Sequence, residues 1–276
     1  MSLFVTSLNS GSNGNCYYIG NNTEAVLIDA GISCRETEKR MKLLGLSMNK
    51  LKAIFVSHEH TDHIKGVPAL SDKFSLPVYI TSSTLKGCCE IKRESTKSLL
   101  PYVPVTISGL TITAFPKKHD AEDPHSFTIS GNGITVGVFT DIGSTCKHVI
   151  ENFGQCNAAF LEANYDVDLL ENGNYPYFLK NRIRGGNGHL SNKEALEIFK
   201  SYRSPLMSHL FLSHLSKNNN CPVIAKNLFD EHAGQTKIIV ASRYEQTAVY
   251  VIKKETSNSP AHKSENLFAS KQLSLF

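Results

Sequence analysis

No stretch of this 276-residue chain approaches the roughly 20 consecutive apolar residues that a membrane span needs. Its opening residues, Met1-Ser2-Leu3-Phe4-Val5, lack the basic segment and apolar run of a secretory signal, so a cytoplasmic location without a membrane partner is expected. Seven cysteines, at 16, 34, 88, 89, 146, 156 and 221, form no Cys-x-x-Cys pair. Their number is odd, which argues against a disulfide framework and for reduced, mostly buried thiols. Charge excess is lacking too: 29 basic against 25 acidic side chains leave a formal +4, too small by itself to imply a polyanionic partner. With 41% apolar and 20% charged residues, the composition is that of a globular protein and excludes a disordered chain, a collagen or a disulfide miniprotein.

Short apolar runs between turn residues predict strands at 3–8, 16–19, 25–29, 53–56, 77–80, 103–107, 110–116, 126–130, 135–140 and 158–162. Helical patterns fall at 36–44 and near 67–73. Past residue 163 helices dominate, and the best marked begins at Ser191, where Ser191-x-x-Glu194 makes a capping box before Ala195, Leu196, Ile198 and Phe199. A strand at 207–212, a helix near 223–231 and strands at 237–241 and 248–252 follow. Interleaved strands and helices without an internal repeat predict a layered α/β domain over residues 1–253. Residues 254–276 form a tail, in which 255–266 are too poor in large apolar residues to offset ordering entropy. That linker leads to an apolar end, Gln272-Leu273-Ser274-Leu275-Phe276.

The strongest chemical signal is His58-Glu59-His60-Thr61-Asp62-His63, directly after the apolar run 53–57. Four ligand-type side chains in six residues, leaving a strand end into a loop, can project in two directions and serve two cations. Two ions need more ligands than these. His119, Asp141 and His214 also follow apolar strands, and together they complete a dinuclear set.

With these residues in view the sequence resembles the metallo-β-lactamase fold family, whose hallmark is H-x-H-x-D-H followed by a separate His, an Asp and a final His. The motif spacing agrees over nearly the whole of residues 2–252. The resemblance implies a four-layer αβ/βα sandwich holding two divalent ions, Zn²⁺ or Mn²⁺. It puts His58, His60 and His119 on the first ion, Asp62, His63 and His214 on the second, and Asp141 between them. Val26-Leu27-Ile28-Asp29-Ala30-Gly31 matches the family's early strand, where Asp29 would orient a ligand histidine; an aspartate opening a turn is the plainer reading. Di-iron redox members carry Glu where this chain has His60, and the 73 positions between Asp141 and His214 are too few for the cap domain of β-CASP nucleases.

Three further stretches are similar to the YycJ (WalJ) branch: Ser10-Gly11-Ser12-Asn13-Gly14-Asn15, Gly188-His189-Leu190-Ser191-Asn192, and Leu212-Ser213-His214-Leu215-Ser216-Lys217-Asn218-Asn219. Glu162-Ala163-Asn164-Tyr165-Asp166 fits as well, although many relatives have His where this chain has Tyr165. That branch consists of phosphodiesterases of DNA metabolism with 5′-to-3′ exonuclease activity on duplex DNA. The implied reaction is metal-assisted hydrolysis by a bridging hydroxide oriented by Asp62 and Asp141, with His189 holding the phosphate or assisting the leaving oxygen. Phosphate contacts are expected from Ser12 and Asn13, from His189 and the helix start at Ser191, and from Lys180, Arg182 and Arg184. Plain turns, a histidine packed on a cap and a solvated basic helix face are the corresponding simpler readings.

Gln272-Leu273-Ser274-Leu275-Phe276 resembles the bacterial sliding-clamp binding peptide, with Leu273, Leu275 and Phe276 supplying burial and Gln272 the register. The competing reading docks this tail on its own domain. A small-molecule ester or thioester hydrolase, and a non-catalytic metal-containing binding module, are the alternative functions; a dead site has no chemical reason to retain seven ligands.

Overall fold

The structure, a computed structural model, describes residues 2–88 and 90–254. Gln272, Leu273, Leu275 and Phe276 lie outside the described residues, as does Cys89.

The first sheet begins with β1 (Ser2–Asn9), β2 (Cys16–Gly20) and β3 (Ala25–Ile28) paired antiparallel, then adds β4 (Leu51–Phe55), β5 (Val78–Ile80) and β6 (Thr96–Ser98) in parallel. The second opens as a meander, β7 (Val105–Ile107), β8 (Leu110–Pro116), β9 (His125–Gly131) and β10 (Ile134–Phe139). It continues in parallel through β11 (Ala158–Glu162), β12 (His209–Ser213) and β13 (Lys237–Val240). Finally β14 (Tyr250–Lys253) returns to pair with β1, giving seven strands in each sheet among the described residues.

Alternation along the strands explains why their sequences are apolar on both faces. In β11, Ala158 and Phe160 enter the core between the sheets, whereas Ala159 and Leu161 face helices on the far side. Phe160 stacks on Phe211 of β12 at 4.5 Å and meets Tyr17 of the first sheet at 4.7 Å, which ties the two sheets together. Burying each such ring contributes about 1.5–3 kcal/mol.

The first sheet's outer face is covered by α1 (Cys34–Leu43), a short α2 (Thr61–Ile64), α3 (Val67–Phe74) and α4 (Ser82–Lys86), with Met41, Val67 and Leu70 in the contact. Beyond the second sheet come α5 (Lys147–Phe153), α6 (Val167–Asn172), α7 (Tyr177–Arg184), α8 (Asn192–Tyr202) and α9 (Pro222–Asp230). Of these α5, α8 and α9 bury Phe153, Phe199 and Phe229 against it. The result is the αβ/βα sandwich expected from the sequence. No described helix is long and apolar enough to cross a membrane.

The chain after His60 is not a plain loop. His60 is the N-cap of α2, so Asp62 and His63 ride on one helical turn, too short to leave any 3.6-residue pattern in the sequence. At five and three residues, α4 and β6 are likewise too short to leave a periodic pattern.

Candidate metal centre

Strands β3, β4, β8, β10, β11 and β12 all end at one edge of the sandwich, where Asp29, His58, His119, Asp141, Glu162 and His214 follow or close them. Asp29, Asp141 and His214 have φ of 57°, 54° and 56°, the left-handed region that costs a non-glycine residue about 1–3 kcal/mol. The turn sharpens each strand end and aims its side chain inward. On the first sheet, Gly31 permits the close approach of α2: a Cβ there would lie 1.7 Å from the Asp62 carbonyl oxygen. That carbonyl accepts the Asn15 N–H at 2.7 Å.

Four histidines spend Nδ1 on an outer acceptor. His63 Nδ1 donates to Asp29 Oδ2 at 2.7 Å, His119 Nδ1 to the Gly188 carbonyl at 3.0 Å and His214 Nδ1 to Glu162 Oε1 at 3.1 Å. Ser57 Oγ donates to Asp29 Oδ2 at 2.8 Å, so at 2.9 Å it accepts from His58 Nδ1. Each ring is thereby locked with Nε2 turned to the centre. His58 Nε2 lies 3.1 Å from His60 Nδ1. The Nε2 atoms of His119 and His214 and Oδ2 of Asp141 are buried without a hydrogen-bond partner.

Two triads emerge. The ligand atoms of His58, His60 and His119 lie within 4.8 Å of one another, as do those of Asp62, His63 and His214. Asp141 faces both, with Oδ2 3.0 Å from His63 Nε2 and Oδ1 3.8 Å from His119 Nε2. Converging, unpartnered imidazole nitrogens and carboxylate oxygens fit a divalent cation, which would satisfy the orphaned atoms that water cannot reach.

Electrostatics divides the cluster. Burial, with Lys117 and His63 nearby, holds His58 well below the usual histidine range, and burial lowers His119 to about 4. Burial also opposes charge on His63, yet Asp141, Asp29 and Asp62 outweigh it and raise His63 to about 10. His214 is likewise raised, against burial, by Asp141, Asp62 and Glu162. Conversely, His63 and His214 hold Asp62 down at about 2 despite its burial.

Several participants were not foreseen. Glu162, fully buried, accepts from Ile142 N–H at 2.6 Å, His189 Nδ1 at 2.7 Å and His214 Nδ1, and so links a ligand-type histidine to one on the cleft. It closes an apolar strand just as the aspartates do, and that was the available signal. Ser57 and Asn15, which donates to Asp62 Oδ2 at 3.2 Å, orient the first sheet's side. Lys117 is buried with Nζ 2.6 Å from the Thr140 carbonyl, placing a cation beside the carboxylates.

A cleft of about 440 Å³ opens over the cluster, lined by His189, by Ser12 and Leu215, and by Leu179 and Arg182 of α7. Four expected phosphate contacts do not reach it as free groups. Asn13 donates its side-chain amide to the Arg243 carbonyl at 2.8 Å. Three N–H groups at the start of α8 are already taken: Ser191 Oγ accepts from Glu194 N–H, Ser191 N–H is taken by Glu194 Oε2, and Asn192 N–H by the Tyr165 carbonyl. The capping box that marks this helix thus uses two of the donors that a phosphate would need, and Tyr165 a third. Arg184 pairs with Glu171 and lies over the Tyr177 ring, and Lys180 Nζ is 2.6 Å from the Glu171 carbonyl. Arg182 lines the cleft but is paired with Asp120 at 2.6 Å. Tyr165 is buried, with burial pushing its hydroxyl up to about 12, and packs against Ser191 as a scaffold residue.

Residues 24–214 match the β-lactamase superfamily domain, and the chain belongs to that family. Among curated relatives it is 31% identical over 238 residues to Exodeoxyribonuclease YycJ of Bacillus anthracis, covering 82% of this chain and 87% of the relative. Exodeoxyribonuclease WalJ of Streptococcus pneumoniae serotype 2 (strain D39) is 30% identical over 224 residues, 79% of this chain and 83% of that one. The crystal structure of the metallo-β-lactamase fold protein YhfI from Bacillus subtilis superposes with a TM-score of 0.69 at 20% identity, covering 91% of this chain and all of that one. It shares the fold.

Proposed function

We propose that the protein is a metal-dependent phosphodiesterase that degrades DNA as an exonuclease, 5′-to-3′ on duplex ends. The observation that carries this reading is the pair of triads facing one carboxylate, Asp141, at the floor of an open cleft. The names of the two exodeoxyribonuclease relatives support the choice of DNA. In this reading His58, His60 and His119 hold one divalent ion, Asp62, His63 and His214 a second, and Asp141 contacts both, with Zn²⁺ or Mn²⁺ suited to the donors. When bound, such ions acidify water and neutralise phosphate charge.

The chain's own groups do the rest. Asp62 and Asp141 accept hydrogen bonds from the attacking water and fix its direction. Asp29, Ser57, Glu162 and the Gly188 carbonyl keep the imidazoles from turning. His189, whose Nδ1 is held by Glu162, has Nε2 left for the cleft, where a proton can pass to the leaving oxygen.

A time course on end-labelled linear duplex and closed circular DNA, with Mn²⁺- or Zn²⁺-loaded protein and a His60→Ala control, tests the reading. The linear substrate should disappear with its 5′ label released first, the circle should persist, and the control should be silent. Cleavage of a small phosphodiester alone would instead favour the small-molecule hydrolase. We also propose that Gln272, Leu273, Leu275 and Phe276 dock on a bacterial sliding clamp, tethering the nuclease at high effective concentration near DNA. A peptide of residues 263–276 should bind purified clamp at micromolar concentration; no binding at high micromolar removes that partner.

A further inference from the structure

Basic side chains near the cleft differ in whether their charge is already spent. Arg182 and Arg184 are paired with Asp120 and Glu171. Arg243 is not: its Nη1 and Nη2 reach only neutral oxygens, the Leu215 carbonyl at 3.4 Å and Ser12 Oγ at 3.2 Å, and it forms no ion pair among the described residues. Both Leu215 and Ser12 line the cleft, so the guanidinium stands at its rim. Gly11 makes room for it. At φ of 144°, a conformation L-residues rarely adopt, a Cβ on Gly11 would come within 3.2 Å of Arg243 Cβ.

The backbone around Arg243 is tied down carbonyl by carbonyl. Ser10 N–H donates to Ser242 O at 3.1 Å, Asn13 Nδ2 to Arg243 O at 2.8 Å and Arg40 Nη2 to Tyr244 O at 2.9 Å. Arg40 is itself buried and fixed by the Leu8 carbonyl at 2.7 Å and Asn9 Oδ1 at 2.8 Å. Three consecutive carbonyls are anchored while the Arg243 and Tyr244 side chains are left out, Tyr244 being 70% exposed. A rigid loop that offers an uncompensated guanidinium next to an open aromatic ring matches the alternation of a nucleic-acid strand, phosphate then base.

We infer that Arg243 binds the phosphate adjacent to the one being cleaved and that Tyr244 stacks on the neighbouring base. The inference rests on the DNA reading above and adds what would distinguish a polymer from a single ester: a substrate with at least two phosphates.

The test compares wild type, Arg243→Ala, Arg243→Lys and Tyr244→Ala, all Mn²⁺-loaded. Substrates are a DNA oligonucleotide and thymidine 5′-(p-nitrophenyl phosphate), which has one phosphate. For Arg243→Ala, kcat/KM on DNA should fall about ten- to hundred-fold, with the ratio of DNA to ester activity falling alongside. The salt dependence of DNA binding should lose about one unit of slope, which Arg243→Lys should restore. Tyr244→Ala, an exposed position that keeps the test open if Arg243→Ala fails to fold, should cost DNA about five-fold or more. Equal losses on DNA and ester, or no loss on DNA, would overturn the inference. Wild-type cleavage of DNA with an unaffected Arg243→Ala removes this inference alone; wild-type cleavage of the ester without any DNA cleavage removes the DNA reading and this one together.

Discussion

The first sheet brings His58, His60, Asp62 and His63 to the centre from a single six-residue stretch, whereas the second brings His119, Asp141 and His214 from three separate strand ends. The contiguous side is shaped locally, by the α2 turn and the close approach over Gly31. The dispersed side depends on the whole sheet, since Asp141 and His214 sit in strained left-handed conformations that only the packed strands β10 to β12 can impose. The difference teaches where the centre is most fragile. The Asp141 carboxylate of the second sheet reaches across to His63 of the first at 3.0 Å, so a change there acts on both triads.

Asp141→Ala is the sharpest way to break the arrangement. It removes the carboxylate that faces both triads and leaves His63 and His214 buried with less compensation. Phosphodiesterase activity should fall by about a thousandfold or more, and metal analysis should show lost ion content. Retention of full metal content and a tenth of the activity would show that Asp141 is not shared.

Glu162→Gln and Asp29→Asn compare the outer acceptors of the two sheets. Each weakens the hold on one ligand-type histidine, and each should cost about 10–100-fold in metal affinity or activity. Only Glu162→Gln should also move a limb of the pH–rate profile, because only Glu162 holds His189. Identical profile shifts in both variants would remove the role given to His189.

Protonation offers a gentler probe. In the metal-free protein His63, raised to about 10, and His214 hold protons at neutral pH, while His58 and His119, both lowered, do not. An ion entering beside Asp62, His63 and His214 must displace those protons, so its affinity should rise about tenfold per pH unit per proton lost. Over pH 6–8 neither His58 nor His119 has a proton to give up, so binding at the other triad should depend on pH less steeply. Titration with Zn²⁺ against a chromophoric competitor should therefore resolve two steps, one more steeply pH-dependent than the other. Two steps that move together would contradict the division.

The same contrast governs what could be read from the sequence. Three histidines and an aspartate in six residues stand out without knowledge of the fold, and long apolar strands announced the layers, so most strand positions were legible, as were the residues that the strand ends bring together. His119, Asp141 and His214 were legible only as residues that follow such strands. Glu162 was not singled out because its partners are ring nitrogens at positions 189 and 214, contacts that exist only once β11 and β12 are paired. Arg243 escaped notice for a related reason: a lone arginine in a late loop carries no pattern, and its uncompensated charge is a property of its neighbours. The Ser191 capping box was visible, yet its consequence, that its donors are used up, follows only from the observed bonds.

Arg182 gives the smallest expected effect and the closest control on Arg243. Its Nε and Nη2 both reach Asp120 Oδ2 at 2.6 Å, so contact with a phosphate requires giving up an existing carboxylate. Exposed pairs of this kind are worth little to stability, and Arg182→Ala should leave folding unchanged. On DNA it should lower kcat/KM by less than about threefold and leave the salt slope where it was, because a neutralised guanidinium releases no counterion from the strand. A tenfold loss with a slope reduced by about one would show instead that the Asp120 pair opens on binding. The phosphate path would then run along α7 as well as along the Arg243 loop.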